Sequence, residues 1–228
     1  MYKKINPKKN GYIKIHKVKF PQQHGINPGF EKKGRSQSYA ITQDYIVDKK
    51  EFLSIAIEEI TRRYTGKETI RIFEPGSGPG KITSFYLLGK KMLRSFRRIE
   101  IECADLSNEM ISLADKYLKE REDDINNSNC SVNVKLSAGI NLIDSTYYKK
   151  MEKKYFDVIL LSQFEHYFPN FHTSPLAEKL RKNNISFITK DDFIKFIYDN
   201  LMNVNSMLII IDDEENESAD VRKMNDDN

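Results

Sequence analysis

Residues 74 to 80, Glu-Pro-Gly-Ser-Gly-Pro-Gly, set three glycines at alternate positions behind an acid. Lacking a Cβ, each glycine can take a positive φ and let a ligand lie against the backbone. Ile70, Ile72 and Phe73, just upstream, suit a buried strand, and Pro75 holds Glu74 extended and ends it. The helix read after the loop presents free amide groups at its N-terminus. A strand, a glycine turn and a helix in this order bind a nucleotide-like ligand.

Spacing separates the motifs that compete for this loop. A phosphate-binding P-loop needs Gly five residues before Gly80 and Ser or Thr after Lys81, where the chain has Pro75 and Ile82. The dinucleotide fingerprint, aligned on Gly76 and Gly78, needs Gly or Ala where Lys81 stands. The pattern that fits, Glu-x-Gly-x-Gly-x-Gly, resembles motif I of the class I S-adenosylmethionine-dependent methyltransferases. The resemblance covers residues 50 to 213.

It implies that Glu74, Gly76, Ser77, Gly78 and Gly80 form the cofactor loop, with Glu74 orienting the loop and the methionine amino group. Asp105, at the end of the next strand and followed by Leu106, would accept both ribose hydroxyls, a task suited to a carboxylate. Asp105 also reads as an acid stabilising the dipole of the following helix. Near the adenine, many family members have an acid where this chain has none. Ala138 and Gly139 would serve there through their backbone, with Asn141 as a weaker candidate.

Ser162 and Gln163 fall where the reacting methyl group points. His166 is the candidate general base, its ordinary pKa lying near neutrality, although a helix-face histidine packing beneath the cofactor is the plainer reading. Tyr39 is either an aromatic contact to the sulfonium or an ordinary packed tyrosine. The stretch Ser162-Gln163-Phe164-Glu165 lacks the prolines typical of methylases acting on base amino groups, and Glu165 lacks the second glutamate of arginine methyltransferases. No metal is implied.

Elements must hold these residues at one place. Strands are read at residues 70–74, 99–105, 132–136, 156–161 and 207–211, alternating with helices, which predicts right-handed crossovers and a parallel sheet. The expected fold is α/β, a Rossmann-like parallel sheet with helices on both faces. Residues 82–93 read as one helix, 120–129 as a loop, 169–190 as an insertion, and Asp191 or Asp192 as the cap of the following helix. The chain runs only fifteen residues beyond Asp213, where the family continues into two antiparallel strands. A shortened member, a piece of a longer polypeptide, or an edge completed by a partner are all open.

Composition frames this reading. A chain of 228 residues with 39% hydrophobic and 31% charged residues suits one α/β core. Residues 1–35 carry ten Lys or Arg against Glu31 alone and read as a basic irregular arm, able to meet RNA or another polyanion but more simply a solvated tail. Residues 36–213 form the cofactor-binding domain, and 214–228 read as an acidic disordered tail. Cys103 and Cys130 lack disulfide or zinc spacing. With no apolar run near a membrane span and no signal-peptide core, the expected location is the cytoplasm. The activity expected is methyl transfer from S-adenosylmethionine, giving S-adenosylhomocysteine, to an O or N nucleophile of a small molecule. The alternatives are an RNA-directed methyltransferase using the basic arm and a non-catalytic cofactor-binding scaffold.

Overall fold

The computed structural model describes residues 11–19, 47–162, 175–187 and 189–211. Six strands form one sheet: β1 (Tyr12–Lys19), β2 (Thr69–Pro75), β3 (Arg98–Asp105), β4 (Ser131–Ala138), β5 (Phe156–Ser162) and β6 (Met202–Ile211). Their spatial order is β1-β4-β3-β2-β5-β6, and every pairing is parallel. The fold is α/β and Rossmann-like.

Alternation along the strands explains the two layers of helices. In β5, Val158 and Leu160 face one core while Ile159 and Leu161 face the other. The first core is closed by α1 (Val47–Arg63), α2 (Lys90–Ser95), α3 (Asn108–Glu120) and α4 (Glu122–Asn126), through Ile60, Met92, Leu118 and Ile125. The second is closed by α5 (Ser145–Tyr148), α6 (Pro175–Lys182), α7 (Lys190–Phe196) and the π-helical turn Ile197–Leu201. Aromatic rings fill this second core; Phe73 stacks on Phe156 at 5.1 Å and Tyr148 meets Phe193 edge-on at 5.4 Å.

On that face the β3–β4 half of the sheet is charged. Glu102 accepts from Lys135 and from the Tyr147 hydroxyl, both at 2.6 Å, and Glu100 from Tyr155 at 2.7 Å and Arg71 at 3.2 Å. The tyrosines therefore cover the alternating glutamates of β3 and satisfy them at once.

The structure departs from the sequence reading in five places. Tyr12–Lys19, expected to be part of an irregular arm, is a strand paired in register with Ser131–Ala138. Residues 82–93 are not one helix: a π-helical turn at Thr83–Leu87 and a break at Gly89 precede α2. Residues 120–129 contain α4, and α6 lies within the expected insertion. The cap of α7 is Thr189, whose side chain accepts the Asp192 amide while Asp192 accepts the Thr189 amide, a reciprocal capping box. Ser107 caps α3 as expected, accepting the Met110 amide at 3.2 Å. The acidic stretch 214–228 lies outside the described residues.

Candidate functional site

From β2 the chain winds outward in both directions, to β3 and β4 on one side and to β5 and β6 on the other. The topological switch lies between β2 and β5, where ligands bind beyond the carboxyl ends of the strands. The glycine turn leaves β2 at this point.

Gly76, Gly78 and Gly80 have φ of 70°, 55° and 67°, a left-handed run that side-chain-bearing residues resist. The turn is tied to the end of β3. The Gly76 and Ser77 amides donate to the Ala104 carbonyl at 2.7 and 3.1 Å, and the Gly78 amide donates to Asp105 Oδ2 at 2.8 Å. Gly80 is tight for a second reason, because a Cβ there would stand 2.6 Å from the Ala114 Cβ of α3. A Cβ at Gly76 would press Leu142 at 3.3 Å.

Asp105 joins three pieces of chain. Its Oδ1 accepts the Ser107 amide at 2.8 Å and its carbonyl accepts the Ile140 amide at 3.0 Å, in addition to the bond from the glycine turn. The carboxylate is only 8% exposed. Asp105 thus stands at the α3 N-terminus, where one of its two sequence readings puts it. Leu106, next to it, is half-buried.

Glu74 lies beneath the turn, 1% exposed, and accepts a hydrogen bond from the Thr83 hydroxyl. Cys103 is its neighbour at 3.9 Å. Burial first, and then the nearby Glu74 charge, push the Cys103 thiol well above its ordinary pKa, so it remains an uncharged packing group. The Thr83 bond links Glu74 to the π-helical turn that follows the glycines.

The β4 end contributes Ala138, 5% exposed, and Gly139, whose φ is 80°. Asn141 is 2% exposed; its Oδ1 accepts the Ile143 amide at 3.2 Å, while its Nδ2 has no partner among the described residues. Ser77 Oγ and Tyr148 Oη are likewise buried without one. Burial, with Tyr147, Asp144 and Asp105 nearby, drives the Tyr148 phenol well above its ordinary pKa, leaving a neutral hydroxyl. Tyr148 escaped the sequence reading because nothing in Ser145–Tyr148 marks which ring turns inward. Ser162 ends β5 half-buried. Gln163, His166 and Tyr39 lie outside the described residues.

The site thus gathers a left-handed glycine turn, the Asp105 carboxylate, and the buried, unpartnered Ser77 Oγ, Asn141 Nδ2 and Tyr148 Oη. The amides of Gly76, Ser77, Gly78 and Gly80 are all taken within the fold, by Ala104, Asp105 and Ser77, so the turn offers its bent, side-chain-free backbone surface.

No family model matches the chain, and no curated protein is similar to it in sequence. Among solved structures, the plantazolicin methyltransferase BpumL in complex with SAH is similar at 17% identity and a TM-score of 0.48, covering 85% of this chain and 58% of its own. A Methanococcus maripaludis protein described as an S-adenosyl-L-methionine-dependent methyltransferase is 17% identical, with a TM-score of 0.44, over 83% of this chain and 70% of its own. A Galdieria sulphuraria protein described as a sarcosine dimethylglycine methyltransferase is 15% identical, with a TM-score of 0.36, over 53% of this chain and 37% of its own. The chain thus spans less than two thirds of BpumL and of the Galdieria protein. Its Rossmann-like fold is established by its own strand order and parallel pairings, independently of these distant likenesses.

Proposed function

We propose that this chain is an S-adenosylmethionine-dependent methyltransferase acting on an O or N nucleophile of a small molecule. The observation that carries the reading is the left-handed glycine turn clamped to Asp105 at the switch point of the parallel sheet. The orphaned Ser77 Oγ and Asn141 Nδ2 support it, since a bound nucleoside would satisfy such buried groups.

In this reading Gly76, Ser77, Gly78 and Gly80 cradle the methionine side of the cofactor, Glu74 holds the turn in shape, and Asp105, beside Leu106, takes the ribose hydroxyls. Ala138 and Gly139 offer backbone groups to the adenine, and Asn141 Nδ2 donates to a ring nitrogen. Ser162 and Gln163 flank the reacting centre, His166 takes the proton released by the nucleophile, and Tyr39 covers the sulfonium. The cofactor, when bound, supplies an electrophilic methyl group. The protein's task is to hold a nucleophile in line with it, a positioning effect that accounts for much of such an acceleration.

Calorimetry tests this. The wild type should bind S-adenosylmethionine, and Asp105→Ala should bind it at least about tenfold more weakly, the loss of about 1.4 kcal/mol expected for a charged hydrogen-bond acceptor. Absence of binding in the wild type, or equal binding in the variant, refutes the assignment. Formation of S-adenosylhomocysteine with a fractionated small-molecule pool separates an enzyme from a cofactor-binding scaffold.

A further inference from the structure

The two edges of the sheet differ in kind. β1 forms one and carries Lys14, His16, Lys17 and Lys19, charge of the sort that keeps an open strand from pairing with another chain. β6 forms the other, and from Met202 to Ile211 it has no charged residue. Among the described residues no strand pairs with its outer edge. Its register with β5 jumps from Phe156 opposite Met202 to Val158 opposite Met207, which throws Asn203 to Ser206 out of the ladder. The Ser206 hydroxyl pins this bulge, accepting the Asn203 amide at 2.8 Å and donating to the Phe156 carbonyl at 2.6 Å. Only Met207 to Ile211 form a regular edge.

Exposed apolar side chains flank that edge. Ile210 is 38% exposed, and Phe52 and Ile55 of α1 are 46% and 58%. Tyr64, just past the end of α1, donates to the Asn205 carbonyl at 2.7 Å and so sets the height of the helix against β6. From this pin a helix climbs about 1.5 Å per residue and a strand about 3.3 Å. Ile55 therefore stands at about the height of Ile209, and Phe52 at about that of Ile210. Glu58 pairs with Lys91 of α2 on one flank of α1. Phe52, about 120° round the helix from Glu58, is on the flank away from α2.

We propose that this edge pairs with the same edge of a second copy of the chain, antiparallel about a twofold axis through Ile209, so that two sheets become one. The pairing is self-complementary at every position. Met207 lies opposite the partner's Ile211 and Leu208 opposite the partner's Ile210, apolar against apolar, with no charge brought against another. On the α1 face the two helices run antiparallel, and Phe52 and Ile55 of each meet their copies near the axis. A five-residue ladder is too short to hold a free peptide strand. The occupant must be a folded body that also covers Phe52 and Ile55, and a second copy covers both sets at once.

Size-exclusion chromatography with light scattering tests this on the 228-residue chain. The wild type should run at twice its 26.7 kDa in the micromolar range. Ile210→Lys, which sets a cation opposite the partner's Leu208, should raise the dissociation constant of the dimer at least about tenfold. Ile210 is partly exposed in the single chain, so the circular dichroism spectrum should be retained. A bismaleimide reagent reads the location separately: Ile55→Cys should cross-link to its copy, and Tyr12→Cys, 55% exposed on β1, should not, the native Cys103 and Cys130 being buried. The inference is overturned if the wild type is a monomer throughout that range, if Ile210→Lys leaves the dimer unchanged, or if Tyr12→Cys cross-links in place of Ile55→Cys. None of these readouts involves the cofactor, so the result stands apart from the proposed function.

Discussion

The two ends of one parallel sheet have been built on different principles. At the carboxyl end, Glu74 and Asp105 are 1% and 8% exposed, and their oxygens are held by the Thr83 hydroxyl and the Gly78 and Ser107 amides. At the amino end, Lys90, Arg94 and Arg97 reach into solvent around an open groove. Buried charge has fixed geometry and so selects among ligands. Exposed charge acts through its field and is screened by salt within about 8 Å at physiological ionic strength. The first end has the fixed geometry that recognition of one molecule requires; the second leaves its charges in solvent.

A tight glycine marks each end, which allows the contrast to be broken deliberately. Gly80→Val at the carboxyl end combines a left-handed φ of 67° with a Cβ 2.6 Å from Ala114. It should cost about 3 kcal/mol or more in urea unfolding and abolish cofactor binding, since strain and overpacking act together. A variant of wild-type stability would show that the turn is not held by α3. Gly11→Ala at the amino end meets backbone oxygens at 2.2 and 2.6 Å, which cannot move aside as a side chain can. A loss of about 1–3 kcal/mol is expected. Hydrogen exchange should quicken in β1 but not in β5, and cofactor affinity should stay unchanged; weakened cofactor binding would mean the two ends are coupled.

The smallest effect is expected where β1 is pinned to the body of the fold. Lys17 and Lys119 both bond the Asp115 carboxylate of α3. Burial pushes the Asp115 carboxyl up, but the bonds from Lys119 and Lys17 outweigh it and hold the pKa below its ordinary value. A depressed folded pKa stabilises the native state above the unfolded value of about 3.9, and this contribution disappears as pH falls through the folded pKa. The lysines are 52% and 63% exposed, so Asp115→Asn should cost only about 0.5 kcal/mol at neutral pH. Wild-type and variant stabilities should converge below that range; a gap that persists in acid would assign the loss to packing.

Much of the fold was legible because its signals are local. The five strands from Thr69 onward announce themselves by β-branched runs, and the turn by its glycines. β1 was missed although Ile13 and Ile15 alternate with Lys14 and His16. Its lysines, which protect an exposed sheet edge, have the same composition as a solvated tail. The helix after the turn was overextended because the apolar spacing continues through Gly89, where the backbone is extended at φ −69° and ψ 162°. Thr189 was passed over as a cap because Asp191 and Asp192 are also good capping residues, and only the reciprocal bonds distinguish them.

For the site, the sequence by itself determined the glycine turn and the acid at the end of the second motif strand, because both depend on backbone conformation and on residue type at a fixed spacing. Tertiary structure alone decided that Asp105 clamps the turn, that Glu74 lies beneath it on Thr83, and that Asn141 and Tyr148 bury polar atoms nearby. It also packed Gly11 against the carbonyls of Ile125 and Ser128. These are contacts between segments distant in the chain. Each requires the parallel sheet to bring strand ends together, and no local pattern records which ends those are.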